Sequence, residues 1–359
     1  HTNEPEYRRL QDNEFMEALR DRLYSGMAER GITGDPADQV FTSLAAFASF
    51  GFPESHAASF AYLVYASAWL KLHYPAAFLA SLLNSQPMGF WSPASLVADA
   101  RRHGVTVLRA DVNVSSAIAC LEPDPQTSSA NVRLGLTSIK GIGTAVAQRI
   151  EAEQPFANLD DLARRTELNR AQLEVLATAG ATSSLDQGRR RESLWSAGTV
   201  AHQSQDQLPG LIFGDSAPPL PPMSPDDTLI ADIQTTGISV DSNPMQLLRH
   251  RLRGYPVVPA DKLGERQHGS RVTVAGVITH RQRPETAAGV TFISLEDDTG
   301  LINVVCSMNL WTRHKKVARS AVALLVRGYL ESADGAINVV AHELEDLQIT
   351  AAPAARNFR

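Results

Sequence analysis

The sequence predicts a multidomain α+β protein, with a mainly α-helical N-terminal two-thirds followed by a five-stranded β-barrel. Apolar residues recur at helical spacing through roughly the first two hundred residues. From Arg271 onward apolar and polar residues alternate, which is typical of β-strands. Within the helical part, a Gly-x-Gly turn between two apolar segments indicates a hairpin whose backbone approaches another molecule closely. The 359 residues suffice for about two or three domains.

Residues 1–104 are predicted to be almost entirely helical. Asp35-Pro36 begins one helix, because Asp is a good N-cap and Pro fits the first helical position. The most apolar stretch, Phe60 to Leu83, is interrupted by charged residues and by Pro75. We therefore expect a pair of core helices there and no membrane span.

A helical hairpin is predicted after a β connector at residues 105–130. A strand is expected from Val105 to Val114, where β-branched residues alternate. The hairpin follows at Leu136 to Ile150, L-T-S-I-K-G-I-G-T-A-V-A-Q-R-I. Its two glycines permit positive φ, and the free amides at the start of its second helix favour an anion. The predicted phosphate grip consists of Lys140, Gly141, Ile142, Gly143 and Thr144.

A degenerate second hairpin completes a predicted tandem helix-hairpin-helix domain at residues 131–200. Its helices are expected at Arg170 to Thr178 and Arg189 to Gly198, around the small residues Ala179-Gly180-Ala181. The basic run of this hairpin is either a phosphate-contacting surface or a solvated helix face. It consists of Arg189, Arg190 and Arg191.

A linker with short helices is predicted at residues 201–262, because the segment is polar and then rich in proline. Within it, Q-L-P-G-L-I-F is similar to the short peptides that dock into bacterial sliding clamps. Gln207, Leu211 and Phe213 would be the anchoring residues. The alternative is an apolar contact that pins the linker to its own domain.

The barrel is predicted at residues 263–348, ahead of a tail at 349–359. Five short strands with a helix between the third and fourth are the order of an OB-fold, a small barrel that often binds single-stranded nucleic acid. The possible contacts of this barrel are basic or aromatic side chains. They are Arg271, Arg281, Arg283, Arg313, Lys315, Lys316, Phe292, Trp311 and Tyr329, with Arg281 and Lys315 favoured for DNA.

Composition limits the chemistry that the chain is expected to perform. A net charge of −6 argues against a uniformly basic surface, although local basic patches are compatible with it. Cys120 and Cys306 lie far apart without metal-ligand neighbours, as expected for free thiols in a reducing cytoplasm. The acidic pairs Asp160-Asp161, Asp226-Asp227 and Asp297-Asp298 fall at predicted caps and turns. We assign no catalytic residue and no metal ligand.

Three motifs occur in one order along the chain. They are G-F-P-E-S-H-A followed by Y-A-S-A-W-L-K-L-H-Y-P-A-A-F, then I-K-G-I-G, then L-E-D-D-T-G. Together they resemble the C-terminal part of the bacterial C-family DNA polymerases, the class of the replicative polymerase III alpha subunit. Pro53-Glu54, the Q-P-M-G-F-W-S-P segment from Gln86 to Pro93 and the N-F-R end resemble the error-prone paralogue. Because the chain begins at His1 without an initiator Met, we expect part of a longer polymerase.

The resemblance implies a cytoplasmic enzyme of DNA repair that performs damage-induced, mutagenic translesion synthesis. Residues 1–104 would be the end of the fingers, with Ser55, His56 and Lys71 near the incoming nucleotide and template. Glu54 replaces the family's Lys and removes a positive charge there. The family's acidic palm residues and two Mg²⁺ lie N-terminal to this region. We expect this chain alone to be catalytically inactive and to need no cofactor.

The sequence is compatible with two functions. In the first, the chain holds primer-template and single-stranded template through sequence-independent, salt-sensitive phosphate contacts. In the second, it is a protein-interaction module with little DNA affinity that recruits the polymerase to mutasome partners. Those partners would be a Y-family-like adaptor and the sliding clamp, bound directly or through the adaptor. A free-standing enzyme is rejected for want of a catalytic constellation, and no membrane partner is expected.

Overall fold

The fold is described from a computed structural model of the chain. The described residues are 20–49, 54–124, 130–200, 217–249, 252–284, 287, 289–333, 335–349, 352–353 and 355–358. The chain divides into two compact units, one ending at His73 and the other beginning at Tyr74.

The first unit is helical. Residues 20–28 are followed by helix α1 (Asp35–Ser49) and helix α2 (Glu54–His73). Tyr24 packs on Phe41 with ring centroids 5.6 Å apart, and its hydroxyl donates to Asp38 at 2.6 Å. Helix α2 carries apolar side chains on all sides, and the structure exposes them, with Tyr62 at 73% and Leu72 at 75%. The prediction of a core helix is therefore wrong for α2.

The second unit begins with two helices and a small sheet. Helices α3 (Pro75–Asn84) and α4 (Pro93–Arg102) precede strands β1 (Val107–Leu108), β2 (Cys120–Pro123) and β3 (Ala130–Arg133). Strand β3 is central, parallel to β1 and antiparallel to β2.

The strand predicted at 105–114 is much shorter than expected. Only Val107–Leu108 is extended in a sheet. The chain then turns because the carboxylate of Asp111 accepts from the amide of Asn113 at 2.8 Å, and the Asp111 carbonyl accepts from the amide of Ser115 at 2.8 Å.

The hairpin domain consists of a 3₁₀ turn (Leu136–Ser138) and five helices. They are α5 (Thr144–Glu153), α6 (Leu159–Thr166), α7 (Arg170–Thr178), α8 (Ser183–Asp186) and α9 (Arg190–Val200). Asn158 caps α6 by accepting from the amide of Asp161 at 2.9 Å. The Ala157 amide, with Arg165 and Arg164, lowers the pKa of Asp161 against the opposing effect of burial. The acidic residue at this helix start therefore has a structural explanation.

The domain closes around one apolar core. Ile139, Ile150, Leu162, Leu173 and Leu176 are all at most 1% exposed and pack together. Because these side chains come from the hairpin turn and from three of the helices, the two hairpins form one folding unit rather than two separate ones.

The later part of the predicted linker at residues 201–262 returns to this core. Helix α10 (Pro225–Thr235) is capped by Ser224, which accepts from the amide of Asp227 at 3.1 Å, and helix α11 (Pro244–Arg249) follows. Ile238 and Val240 are buried in the core of the hairpin domain. Residues 225–240 are therefore part of the helical unit and not a tether.

The C-terminal barrel has the predicted topology. Its elements are β4 (Arg271–Gln282), β5 (Thr291–Glu296), β6 (Leu301–Cys306), α12 (Met308–Arg313), α13 (Lys315–Ser320), β7 (Ala323–Ala333) and β8 (Ala336–Asp346). The strand order β5-β6-β8-β7-β4 closes through pairing of β4 with β5, and β6 runs parallel to β8. This is the closed five-stranded barrel of an OB-fold, so the predicted fold class is confirmed.

The acidic turn between β5 and β6 is structural, as predicted. Asp297 is 2% exposed and accepts from the amides of Thr299, Gly300 and Ala260. Asp298 pairs with Arg249. The first carboxylate thus holds the turn and a preceding loop in place.

A short strand after the barrel joins it to the helical part. Strand β9 (Arg356–Phe358) runs parallel to β4. The ring of Phe358 lies 4.7 Å from that of Phe90, centroid to centroid. Arg356 Nη1 donates to the carbonyl oxygen of Met88 at 2.6 Å. The N-F-R and Q-P-M-G-F-W segments noted in the sequence therefore contact each other.

Candidate nucleic-acid interface

The first hairpin presents a helix N-terminus to solvent. Gly141 has φ +87°, which glycine adopts without strain, and Ile142 is buried at 3% exposure. Gly143 is the N-cap of α5 in an extended conformation with φ −76°, so Gly141 is the one of the two glycines that uses the positive φ that glycine permits. No side chain caps this helix, and Gly143 and Thr144 are exposed. Amides at such a position can bind a phosphate.

Arg149 was missed by the sequence analysis and lies on the same helix. It is exposed, and no ion-pair or hydrogen-bond partner for its side chain is present in the part of the chain that the structure describes. It follows Ala145 by four residues, so the two share a face of α5.

Lys140 is already engaged within the protein. Its Nζ donates to the carbonyl of Gln234 at 2.7 Å, and its backbone amide donates to the carbonyl of Thr235 at 2.8 Å. Both acceptors belong to the last turn of α10. A phosphate would therefore have to compete with the C-terminal carbonyls of α10 for the Lys140 side chain.

The arginine run does not form one surface. Arg190 is 9% exposed and pairs with Asp232 at 2.9 Å, so burial contradicts its predicted contact with DNA. Arg191 pairs with Asp227 at 2.9 Å. Arg189 pairs with Glu192 at 2.8 Å, and its side chain is 59% exposed. Of the three, Arg189 has the most accessible guanidinium.

Arg281 of the barrel is also buried, at 7% exposure. Its Nε donates to the carbonyl of Ala318 at 2.8 Å, and its Nη2 donates to the carbonyl of Ala321 at the end of α13. Burial lowers the pKa of this guanidinium. The prediction that Arg281 contacts DNA is wrong, because its charge faces inward and holds a helix.

Lys315 lies in an exposed basic segment. No acidic residue occurs from Met308 to Ser320. The exposed cations of the two helices have no side-chain partner within the described ranges. They are Arg313, Lys315, Lys316 and Arg319.

One row of side chains crosses the outside of the barrel. Strand pairing places Phe292 opposite Val305, Val305 opposite Val340, Val340 opposite Tyr329, and Tyr329 opposite Arg271. We call these five residues the outer row. Phe292 and Tyr329 are 40% and 41% exposed, and the Arg271 guanidinium lies 5.8 Å from the Tyr329 ring centre. Three strand spacings of about 4.8 Å separate the two aromatic residues, which is about 14 Å measured along the curved surface of the barrel.

The remaining predicted residues belong to helix α2 of the first unit or fall outside the described residues. Ser55 lies in the first turn of α2, the His56 ring packs edge-on against Phe60 at 4.4 Å, and Lys71 is in the last turn of the same helix. The sliding-clamp-like residues Gln207, Leu211 and Phe213 fall outside the described residues.

Two negative findings apply to the described residues alone. In those ranges no three His, Cys, Asp or Glu side chains form a group able to hold a metal ion. None of the helices there is both long enough and apolar enough to cross a membrane.

Comparison with known families agrees with both halves of this architecture. A model described as the helix-hairpin-helix motif matches residues 104–192, and one described as the OB-fold nucleic acid binding domain matches residues 272–347. With the exposed start of α5 and the outer row, they define a protein that carries two nucleic-acid-binding domains.

Relatives of the whole chain are more specific. An error-prone DNA polymerase of Nocardia farcinica is 52% identical over 96% of this chain, and that of Mycobacterium tuberculosis is 49% identical over 96%. By sequence, nearly the whole chain is similar to a region of the bacterial error-prone DNA polymerases, which confirms the predicted resemblance. It spans about a third of the length of these relatives, 31% and 32%.

A solved asparaginyl-tRNA synthetase from Pyrococcus horikoshii is 20% identical with a TM-score of 0.23. The match covers 26% of this chain and 24% of that protein. The protein YgiW of E. coli matches 25% of this chain and 89% of its own with a TM-score of 0.20 and 16% identity. Overlaps of this extent carry no argument here.

Proposed function

We propose that the chain is the DNA-holding region of an error-prone polymerase that acts in damage-induced translesion synthesis. The observation that carries the proposal is the N-terminus of α5 after the Gly141-Ile142-Gly143 turn, which is exposed and is not capped by a side chain. Its amides would bind a phosphate of the primer-template duplex without reading sequence. Polymerisation itself, with Mg²⁺, is assigned to the rest of the longer polymerase.

The outer row of the barrel supports a second contact, with single-stranded template. Phe292 and Tyr329 offer exposed ring faces on which bases stack, while Arg271 and the cations of α12 and α13 supply positive charge. Stacking and phosphate attraction together give sequence-tolerant binding of single strands.

The test of the hairpin contact is Thr144→Glu, with binding followed by fluorescence anisotropy on primer-template DNA. A carboxylate in the first turn of α5 suits the helix dipole, so the protein should stay folded. It repels a phosphate at the same place, so affinity should fall about tenfold or more. Ala171→Glu, at the exposed start of α7, makes the same charge change away from the hairpin and is the control. Equal effects from both variants would refute the contact.

The barrel contact is tested on single-stranded DNA with Phe292→Ala and Tyr329→Ala. Loss of one stacked base is worth about 1–3 kcal/mol. Tyr255→Ala is the matched control, because Tyr255 is also 40% exposed and lies 5.8 Å from an arginine guanidinium but is not in the outer row. Binding that is unchanged in the row variants would rule out this surface.

Recruitment of protein partners is the second candidate function. It is favoured by the acidic balance of the chain and by the engagement of Lys140, Arg190 and Arg191 inside the protein. A Y-family-like adaptor and the sliding clamp remain the proposed partners. The test is a pull-down of a purified adaptor with the wild-type chain and with Phe292→Ala. If the variant no longer captures the adaptor but keeps its affinity for DNA, this function is favoured over the first.

A further inference from the structure

Helix α10 is attached to the first hairpin by a cation at its C-terminal end. The last carbonyls of a helix lack intrahelical donors and carry partial negative charge. Lys140 Nζ satisfies two of them, donating to Gln234 at 2.7 Å and to Ile233 at 3.4 Å, while the Lys140 amide donates to Thr235 at 2.8 Å. The residue expected to meet phosphate thus holds a helix.

A buried ion cluster anchors the same helix. Asp232 is 1% exposed and accepts from Arg190 at 2.9 Å and from Arg109 at 2.5 Å. The Ser239 hydroxyl also donates to Asp232, at 3.1 Å. Arg190 lies against Gly180, where a β-carbon would come within 2.4 Å of its Nε. A side chain at position 180 would therefore displace the Arg190 guanidinium from Asp232.

The remaining contacts of α10 are a surface ion pair and buried apolar side chains. Arg191 pairs with Asp227 near the start of the helix at 2.9 Å. Leu229 is fully buried and Ile233 is 6% exposed. Both side chains pack in a small apolar cluster with Leu247 of α11, and burial of such side chains contributes about 1.5–3 kcal/mol each, so α10 is held by apolar packing as well as by charge.

We propose that Lys140 is a positioning residue. It fixes the Ile139–Gly143 turn against α10, so that the amides at the start of α5 face outward, while Arg149 supplies the neighbouring positive charge for phosphate. Arg190 acts with Lys140 in holding α10. This inference rests on the proposed function for the role of the amides, but not for the attachment of α10.

The first test compares Lys140→Met with Arg149→Met by measuring the affinity for duplex DNA at several salt concentrations. Removing a phosphate ligand reduces the slope of log affinity against log salt by about one. We expect that reduction for Arg149→Met. For Lys140→Met we expect an unchanged slope with weaker binding at every salt concentration. A slope reduced by one in Lys140→Met would overturn the proposal.

The second test does not depend on DNA. Hydrogen exchange of the amides in residues 225–235 should accelerate about tenfold or more in Lys140→Met, which is the equivalent of one lost charge-assisted hydrogen bond. Lys140→Arg should restore protection, because a guanidinium also donates to carbonyls. Lys262→Met, which removes an exposed lysine paired with Glu265 at 2.7 Å, is the control. Wild-type exchange in Lys140→Met would refute the positioning role even if DNA binding is absent.

Discussion

Arg102 and Glu296 form an ion pair between helix α4 and the barrel, with Nη1 and Oε1 2.8 Å apart. Glu296 is 8% exposed, and Arg102 ends a helix that contacts the hairpin domain's core. Burial raises the pKa of Glu296, while the Arg102 guanidinium opposes that rise. The pair therefore joins α4 to the barrel, although burying the Glu296 carboxylate costs electrostatic free energy.

Glu296→Gln should change how stability depends on pH. A carboxyl whose folded pKa lies above its ordinary value of 4.5 contributes stability below that pH, and loses the contribution as pH rises through the raised pKa. We therefore expect the free energy of unfolding of the wild type, relative to Glu296→Gln, to fall as the pH rises above about 4.5 and through the raised pKa of Glu296. Urea denaturation at several pH values measures it. The opposite trend would mean that the Arg102 guanidinium lowers the pKa of Glu296 by more than burial raises it.

Gly135→Ala should destabilise the hairpin domain. A β-carbon at Gly135 would lie 2.3 Å from the carbonyl carbon of Ile118, and the backbone there is fixed by the Leu136 amide donating to Ser116 at 3.0 Å. We expect a loss of about 1–3 kcal/mol or more in the free energy of unfolding.

The control for that prediction is Gly143→Ala in the same hairpin. No atom lies within 4 Å of a β-carbon at Gly143, and its backbone is extended. The loss should be at most about 1 kcal/mol, from the poorer N-cap alone. Similar losses in the two variants would contradict the close approach at Gly135.

Arg281→Met should cost stability where Arg283→Met does not. The first change leaves the carbonyls of Ala318 and Ala321 without their donor, at about 1–3 kcal/mol. Arg283 is exposed, with its guanidinium 6.0 Å from the Trp311 ring centre, and its loss should cost at most about 1 kcal/mol. Chemical denaturation measures both. Equal losses would argue against a structural role for Arg281.

The two thiols should differ in reactivity. Cys306 is fully buried, and burial raises its pKa to about 11, so almost no thiolate forms at neutral pH. Cys120 is half-buried in β2. Iodoacetamide should alkylate Cys120 well before Cys306 in the native protein, and both once it is denatured, as peptide mass spectrometry would show. Comparable native rates would contradict the burial of Cys306.

The barrel was predictable because its signals are local. Apolar and polar residues alternate from Arg271 onward, and the predicted turn at Asp297 lies between β5 and β6. The exposed start of α5 was also predictable, since the Gly-x-Gly spacing is itself the signal.

The roles of the cations were not predictable, because their partners are distant in sequence. Lys140 meets Gln234 across 94 positions, Arg190 meets Asp232 across 42, and Arg281 meets Ala318 across 37. A charge pattern cannot distinguish a phosphate ligand from a side chain that holds a helix end. One hint was present: Asp232 is an acidic residue within the apolar run L-I-A-D-I.

The contact between the Q-P-M-G-F-W and N-F-R segments has a consequence for multivalent binding. Phe90 against Phe358, and Arg356 on the Met88 carbonyl, hold the barrel to the helical part by packed side chains. For a flexible connection, the effective concentration of a second site falls as the linker lengthens. Here the spacing between the start of α5 and the outer row is set by packing, so under the proposed function a polymer bound at the first would meet the second without the dilution that a flexible linker imposes.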